Sequence, residues 1–228
     1  MKTRYSRSVW RGFELFFRPW MRRRLDGVHI RGIESATWVP AGIPLLLVAN
    51  HVSWWDGFLL REVHRRLRPD APLHVVMSEA ELRRHPIFRW MGAIPLGDSP
   101  LAGRRLLAAL RARTAAHPDA VIGYFPQGRI WPSHRRPLGF RRGGAWLAGH
   151  LSPVAVAPVG LHLEPLTRPG PAAFVSVGRP RVVGSAVNPH HLETAVTGEV
   201  DAILQVVRDH GEAAPRVWRT PPGREAAA

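Results

Sequence analysis

Ile43-Pro-Leu-Leu-Leu-Val-Ala-Asn50-His51-Val-Ser53-Trp-Trp-Asp56-Gly-Phe58-Leu-Leu-Arg-Glu-Val-His-Arg-Arg-Leu67 is the stretch that decides the fold. Its first seven residues are a short apolar run, which predicts a strand buried on both faces. Beyond Trp55 the apolar positions 59, 60, 63 and 67 recur at helical spacing, which predicts a helix over 55–67. A histidine therefore leaves the end of a buried strand, and an aspartate enters the first turn of the next helix. In an open α/β sheet that corner is where chemistry is placed. An aspartate there can accept from one imidazole nitrogen and leave the other to take a proton from a substrate hydroxyl. A structural role competes with this one. Ser53 and Asp56 have capping-box spacing, with Ser53 capping the helix and Asp56 reaching back to the first amide. His51 alone is compatible with an ordinary turn histidine.

Outward from this corner the pattern repeats. Further strands are expected at 28–32, 73–77, 92–96, 120–125, 154–159 and 173–177. Helices are expected at 104–116, 142–150 and 200–209, with a helical stretch at 79–91 broken by Pro86. Residues 126–137 have neither period and read as a loop. Strands alternating with helices predict an α/β domain: a mostly parallel twisted sheet flanked by helices, over residues 27–210. The stretch 211–228, rich in Pro, Gly and Ala, is expected to be a flexible tail.

Residues 1–26 differ from the rest. Val9, Trp10, Phe13, Phe16, Phe17, Trp20 and Met21 fall on one helical face, with arginines mostly off it. Over residues 1–31, nine basic residues face two acids, a net charge of +7. That is the pattern of an amphipathic helix lying in a membrane interface, and equally of an aromatic face docked on a core. Pro19 is expected to kink it or to start a second helix.

A chain of 228 residues with 45% hydrophobic residues can bury the core of a single domain. It has no cysteine, so neither disulfides nor thiolate ligands contribute. A net charge of +15, almost all of it arginine, favours a polyanionic partner: a nucleic acid, an anionic membrane or a phosphorylated substrate. No helix-turn-helix, zinc or RNA-binding signature accompanies that charge, so nucleic acid is not the expected partner. No stretch approaches the roughly 20 apolar residues of a membrane span, and the N-terminus lacks the pattern of a signal peptide. His134, His162, His190 and His191 have no metal-ligand spacing, and no metal is expected.

Four blocks then occur in a consistent order: Asn50-His51-Val-Ser-Trp-Trp-Asp56, Gly92-Ala-Ile-Pro-Leu96, Phe125-Pro126-Gln127-Gly128 and Val156-Ala-Pro-Val-Gly160. Leu138-Gly-Phe-Arg-Arg-Gly143 lies between the last two. Over roughly residues 9–180 the chain resembles the PlsC-like glycerolipid acyltransferases, a family with a His-x4-Asp motif. The resemblance implies an O-acyltransferase of phospholipid biosynthesis that uses acyl-CoA or an acyl carrier protein as co-substrate and no cofactor. It implies His51 as general base, Asp56 as its orienter, and attack by the acceptor hydroxyl on the thioester. It also implies a lipid acceptor, 1-acylglycerol-3-phosphate among the candidates, and a peripheral position on the cytoplasmic face of a membrane. The implied substrate-binding residues are Asn50, Ser53, Phe125, Pro126, Gln127, Gly128 and Arg129, with Arg104 and Arg105.

Three departures bear on the acceptor. Gln127 stands where the family usually has glutamate. Asp98 stands where the family usually has an arginine linked to the acceptor phosphate. Arg129-Ile130 stands where the family usually has Thr-Arg. Arg104, Arg105, Arg129, Arg135 and Arg136 are the arginines available to restore the charge. Otherwise the acceptor is a glycolipid or lipid alcohol without phosphate. Binding without catalysis and hydrolysis by the same dyad are the rival functions.

Overall fold

The computed structural model describes residues 5–185 and 187–219. The chain runs α1 (Arg7–Arg24), β1 (Val28–Arg31), β2 (Leu45–Ala49), α2 (Asp56–Leu67), β3 (Leu73–Ser78), α3 (Glu79–Arg84) and α4 (Ile87–Trp90). It continues with β4 (Ile94–Leu96), α5 (Ala102–Ala116), β5 (Val121–Tyr124), α6 (Gly143–Leu151), β6 (Val154–Glu164), β7 (Ala172–Val177), β8 (Arg181–Val183), α7 (Pro189–His210) and α8 (Ala214–Arg219). The strands form one sheet in the order β1-β7-β6-β2-β5-β3-β4, with β8 on β6. All pairings are parallel except β6 with β7 and β6 with β8. This is the α/β architecture with a mostly parallel sheet that the sequence pattern predicts.

β2 is central, hydrogen-bonded to β5 on one side and β6 on the other, and all five of its residues are buried. Its alternation divides the core. Leu45, Leu47 and Ala49 pack in one cluster with Leu59 and Val63 of α2 and the aromatic face of α1. Leu46 and Val48 pack in the other with residues of α5, α6 and α7. A strand sandwiched between two helical layers must be apolar on both faces, which is why this run does not alternate. On β5, a Cβ at Gly123 would come within 2.9 Å of Leu60 Cδ1, so glycine there lets α2 settle onto the sheet.

Three expectations need correction. Of the two outcomes expected at Pro19, the start of a second helix is not found, because α1 is a single element of 18 residues with Pro19 inside it. The proline removes one backbone bond, while side-chain contacts on both sides of it hold the helix down. Phe13 and Phe17 stack on Phe58 at 5.9 and 4.0 Å, and Trp20 lies 5.0 Å from Trp55. Trp10 Nε1 donates to the Met91 carbonyl at 2.7 Å, and Arg61 pairs with Glu14 at 2.7 Å. The segment expected at 1–26 is thus packed into the same core as α2. Its residues 1–4 lie outside the described residues.

The last long helix starts eleven residues earlier than its periodicity suggests, at Pro189, where Asn188 caps it through the His190 amide at 2.9 Å. The expected tail has regular structure over its first part. Residues 211–219 are helical, and Trp218 of α8 is 1% exposed in a cluster with Phe174 and Ile203. Composition over the whole stretch hid a single aromatic anchor. Residues 220–228 lie outside the described residues.

Candidate active site

Where β2 ends, Asn50 is fully buried and ties the strand to its neighbour. Its Nδ2 donates to the Leu161 carbonyl at 2.9 Å, and its Oδ1 accepts the Leu161 amide at 2.7 Å. The chain then leaves the sheet at His51. Asp56, in the first turn of α2 and fully buried, turns back toward it. Asp56 Oδ2 lies 2.7 Å from His51 Nδ1 and also accepts the amides of Val52 at 2.6 Å and Ser53 at 3.0 Å. Asp56 Oδ1 accepts the Ser53 hydroxyl at 2.6 Å, and Ser53 Oγ accepts the Trp55 amide at 3.1 Å. A carboxylate only accepts, so the proton of this pair sits on Nδ1 and Nε2 is left as an acceptor. The two roles weighed for Asp56 are compatible in one geometry. The carboxylate closes the turn before α2 and orients the imidazole with the same oxygen. Of the capping expectation, the reach of the Asp56 carboxylate back to the Ser53 amide is present, with the Val52 amide added; the helix start differs, because α2 begins at Asp56 with Trp55, not Ser53, as its N-cap residue.

A cleft of about 620 Å³ opens on His51, whose side chain is 26% exposed. The His51 ring stacks on Phe125 with centroids 4.5 Å apart. Gln127, 3% exposed, stands behind the ring: its Oε1 accepts the His51 amide at 2.6 Å and its Nε2 donates to the Leu138 carbonyl at 2.8 Å. The Trp131 amide donates to the His51 carbonyl at 2.8 Å. His51 is therefore fixed by its ring, its N–H and its C=O.

The residues expected to bind substrate fall into two groups. Phe125, Gly128 and Arg129 line the cleft with His51. Asn50, Ser53, Pro126 and Gln127 do not line it; hydrogen bonding by Asn50, Ser53 and Gln127 builds the frame around the dyad. Arg104 and Arg105 are exposed on α5 and do not line the cleft, which α5 reaches only through Ala102 and Gly103. Of the other arginines considered, Arg135 lies 3.5 Å over the Trp131 ring. Arg136 pairs with Asp201 and donates to the Ser133 carbonyl at 2.6 Å. Asp98 does line the cleft, as do Glu81 and His85.

Arg141, in the Leu138-to-Gly143 block, is a cleft residue that the motif reading did not single out. Gly128 has φ +67°, and a Cβ there would meet the Arg141 guanidinium at 3.3 Å. The Phe-Pro-Gln-Gly turn thus doubles as the seat of an arginine. Apolar walls complete the cleft: Trp10 of α1, Phe58 of α2, Val75, Phe88, Met91 and Ala93. Trp54, 48% exposed, stands in the same wall, whereas Trp55 packs against the core. Among the described residues no group of three or more His, Asp or Glu is arranged to hold a metal ion.

A buried strand, a His–Asp pair at its end and a large, mainly apolar cleft suit transfer chemistry on a substrate with a long apolar part. No curated protein matches the sequence. The model of one family, described as Acyltransferase, matches residues 28–162, a span from β1 to β6 that contains the dyad and the turn behind it. With more than half its length matched, this chain belongs to the acyltransferase family.

Proposed function

We propose that the chain transfers a fatty acyl group from the thioester of acyl-CoA or an acyl carrier protein to a hydroxyl of a lipid acceptor, with His51 as general base. One observation carries this reading: Nδ1 is held by Asp56 at 2.7 Å while the ring faces a cleft with apolar walls. In the reaction, Nε2 takes the proton of the acceptor hydroxyl as its oxygen attacks the thioester carbonyl carbon. The tetrahedral intermediate collapses with cleavage of the C–S bond. The imidazolium returns its proton to the departing thiolate, giving an ester and a free thiol. Asp56 stabilises the imidazolium in between. The base acts on the acceptor directly, so no covalent acyl-enzyme forms. Such base catalysis supplies ~10²–10⁴-fold, and positioning supplies much of the rest.

Two acceptor classes remain in view, each with an observation behind it. Arg129 and Arg141 in the cleft wall favour a phosphate such as that of 1-acylglycerol-3-phosphate. Asp98 and Glu81 in the same wall, with Arg104 and Arg105 turned elsewhere, favour an uncharged, hydroxyl-rich headgroup. We read the site as peripheral to a membrane. No described helix is long and apolar enough to cross one, and Leu15 and Phe16 on α1 are 82% and 79% exposed beside exposed arginines.

The test is transfer of radiolabelled acyl groups from acyl-CoA or acyl carrier protein to lysophosphatidate, to a glycolipid and to a long-chain diol. The expected result is one ester product formed by the wild type, with loss of at least ~10²-fold in folded His51→Ala. Full activity in folded His51→Ala would refute the assignment.

A further inference from the structure

Ser133, His162 and Glu164 form a second hydrogen-bonded chain outside the cleft. Ser133 Oγ lies 2.6 Å from His162 Nδ1, and His162 Nε2 lies 2.7 Å from Glu164 Oε2. A carboxylate accepts only, so Nε2 carries its proton toward Glu164, Nδ1 is the acceptor, and the Ser133 hydroxyl donates to it. The order serine, histidine, acid suggests a nucleophile, but Ser133 is 6% exposed and does not line the cleft, so its oxygen is not presented to a substrate.

What the chain joins is more informative. Ser133 lies two residues after Trp131, whose amide holds the His51 carbonyl at 2.8 Å. His162 lies one residue after Leu161, which holds Asn50, the neighbour of His51, by two bonds. Starting at His51, one passes by hydrogen bond to Trp131, along the loop to Ser133, by hydrogen bond to His162, along β6 to Leu161, and by hydrogen bonds back to Asn50. The circuit is closed. The loop after the Phe-Pro-Gln-Gly turn has no regular structure of its own, and within it Ser133 is the residue whose side chain reaches β6.

We infer that Ser133 and His162 are positioning residues for the general base: their hydrogen bond pins the 126–138 loop to β6 and so fixes the His51 backbone, and with it the ring, relative to the cleft. This rests on His51 being the base. Burial holds the His162 pKa below its ordinary value, which keeps Nδ1 free to accept at neutral pH. Both ring nitrogens of His162 are bonded, which offsets the cost of burying a polar side chain on this strand, whereas the buried strand histidines His29 and His74 each leave one nitrogen unpartnered.

The test compares Ser133→Ala, Ser133→Cys and His162→Asn, whose side-chain oxygen can replace Nδ1 as acceptor. The first readout needs no substrate: the ring resonances of His51, assigned by their loss in His51→Ala. They should shift or broaden in Ser133→Ala and stay near their wild-type positions in His162→Asn. The second readout is steady-state acyl transfer. In Ser133→Ala, kcat should fall on the order of tenfold with KM within about twofold, because a displaced base lowers the chemical step and leaves binding intact. In His162→Asn, kcat should stay within about threefold of wild type. If Ser133→Ala does not fold, Ser133→Cys, with a weaker donor, should show the same split at smaller amplitude. Unchanged His51 resonances in a folded Ser133 variant overturn the inference. Absence of transfer by the wild type would instead strike at the proposed function, since the resonances still report on positioning.

Discussion

Gln127 Oε1 accepts the backbone N–H of His51 across 76 residues of sequence, at 2.6 Å, while its Nε2 holds the Leu138 carbonyl at 2.8 Å. Both ends of this buried amide are used, one as acceptor and one as donor, whereas an ionised carboxylate offers acceptors alone. Glutamate, the residue the motif usually carries here, would aim a carboxylate oxygen at the Leu138 carbonyl. Gln127→Glu is therefore expected to lose one buried hydrogen bond and to destabilise the protein by ~1–3 kcal/mol. Gln127→Leu leaves the His51 amide and the Leu138 carbonyl both unpaired and should cost more, with a fall in kcat exceeding any rise in KM. Chemical denaturation beside steady-state kinetics checks this. A Gln127→Glu protein as stable as the wild type would show that Leu138 is not held by the side chain.

Gly128→Ala is the second prediction. The position has φ +67°, where an L side chain costs ~1–2 kcal/mol, and the new Cβ would meet the Arg141 guanidinium at 3.3 Å. Arg141 has to give way, so the variant should raise KM for whichever substrate carries phosphate. Arg141→Ala should raise the same KM without the loss in stability. Thermal melts and KM values for donor and acceptor, measured on both variants, separate strain in the turn from loss of the arginine.

The local part of the site was legible in the residues themselves; of the long-range part, the resemblance named Phe125 to Arg129 but not what Gln127 holds, and nothing named Trp131 or Leu161. His51 and Asp56 are five residues apart, and the apolar run before them and the helical period after them place both at the same corner. Gln127, Trp131 and Leu161 reach that corner from distant strands and a loop. Only the parallel register of β2 between β5 and β6 brings them there. On α5 the periodicity showed which face is buried. It did not show which turn of the helix meets the cleft, so Arg104 and Arg105 were drawn into a site that α5 touches only at Ala102 and Gly103. Trp218 was missed because composition averaged over a Pro- and Ala-rich end outweighed one aromatic side chain.

Two buried histidines make stability fall with acid. His64 accepts from Arg61 Nη1 at 2.7 Å through Nδ1 and donates to the Ala71 carbonyl at 2.9 Å. Burial, helped by the Arg61 charge, pushes its pKa down to about 3. Burial pushes His74 down to about 4. In the unfolded chain both titrate near 6.5, so below that pH the unfolded state binds protons that the folded state refuses. Stability is complete above pH 6.5 and declines toward pH 4 for His74 and pH 3 for His64, each by at most ~1.4 kcal/mol per pH unit. His64→Gln keeps a donor for Ala71 but does not titrate. Its denaturation free energy, measured from pH 7 to 4.5, should fall less steeply than that of the wild type by nearly one proton. Identical slopes would mean that His64 is protonated in the folded state.

Neighbouring positions on α1 separate membrane contact from folding. Phe17 is 8% exposed, stacks on Phe58 at 4.0 Å and belongs to the core cluster of β2 and α2. Phe16 and Leu15 are 79% and 82% exposed, flanked by Arg11, Arg18 and Arg22, with nothing among the described residues covering their apolar surface. Phe17→Ser should therefore destabilise strongly, by ~3–5 kcal/mol or more, since it opens a cavity and places a hydroxyl in it. Leu15→Ser with Phe16→Ser removes no packing and should leave the melting temperature within a few degrees. If α1 rests on a membrane, that double variant should lose most of its co-sedimentation with vesicles rich in anionic lipid, and the loss should persist at low salt, where the arginine attraction is strongest. Its activity on acceptors dispersed in detergent should be unchanged, because neither residue lines the cleft. Undiminished vesicle binding by the double variant would leave arginine attraction alone to account for any association, and the exposed Leu15–Phe16 pair of α1 would have no part in it.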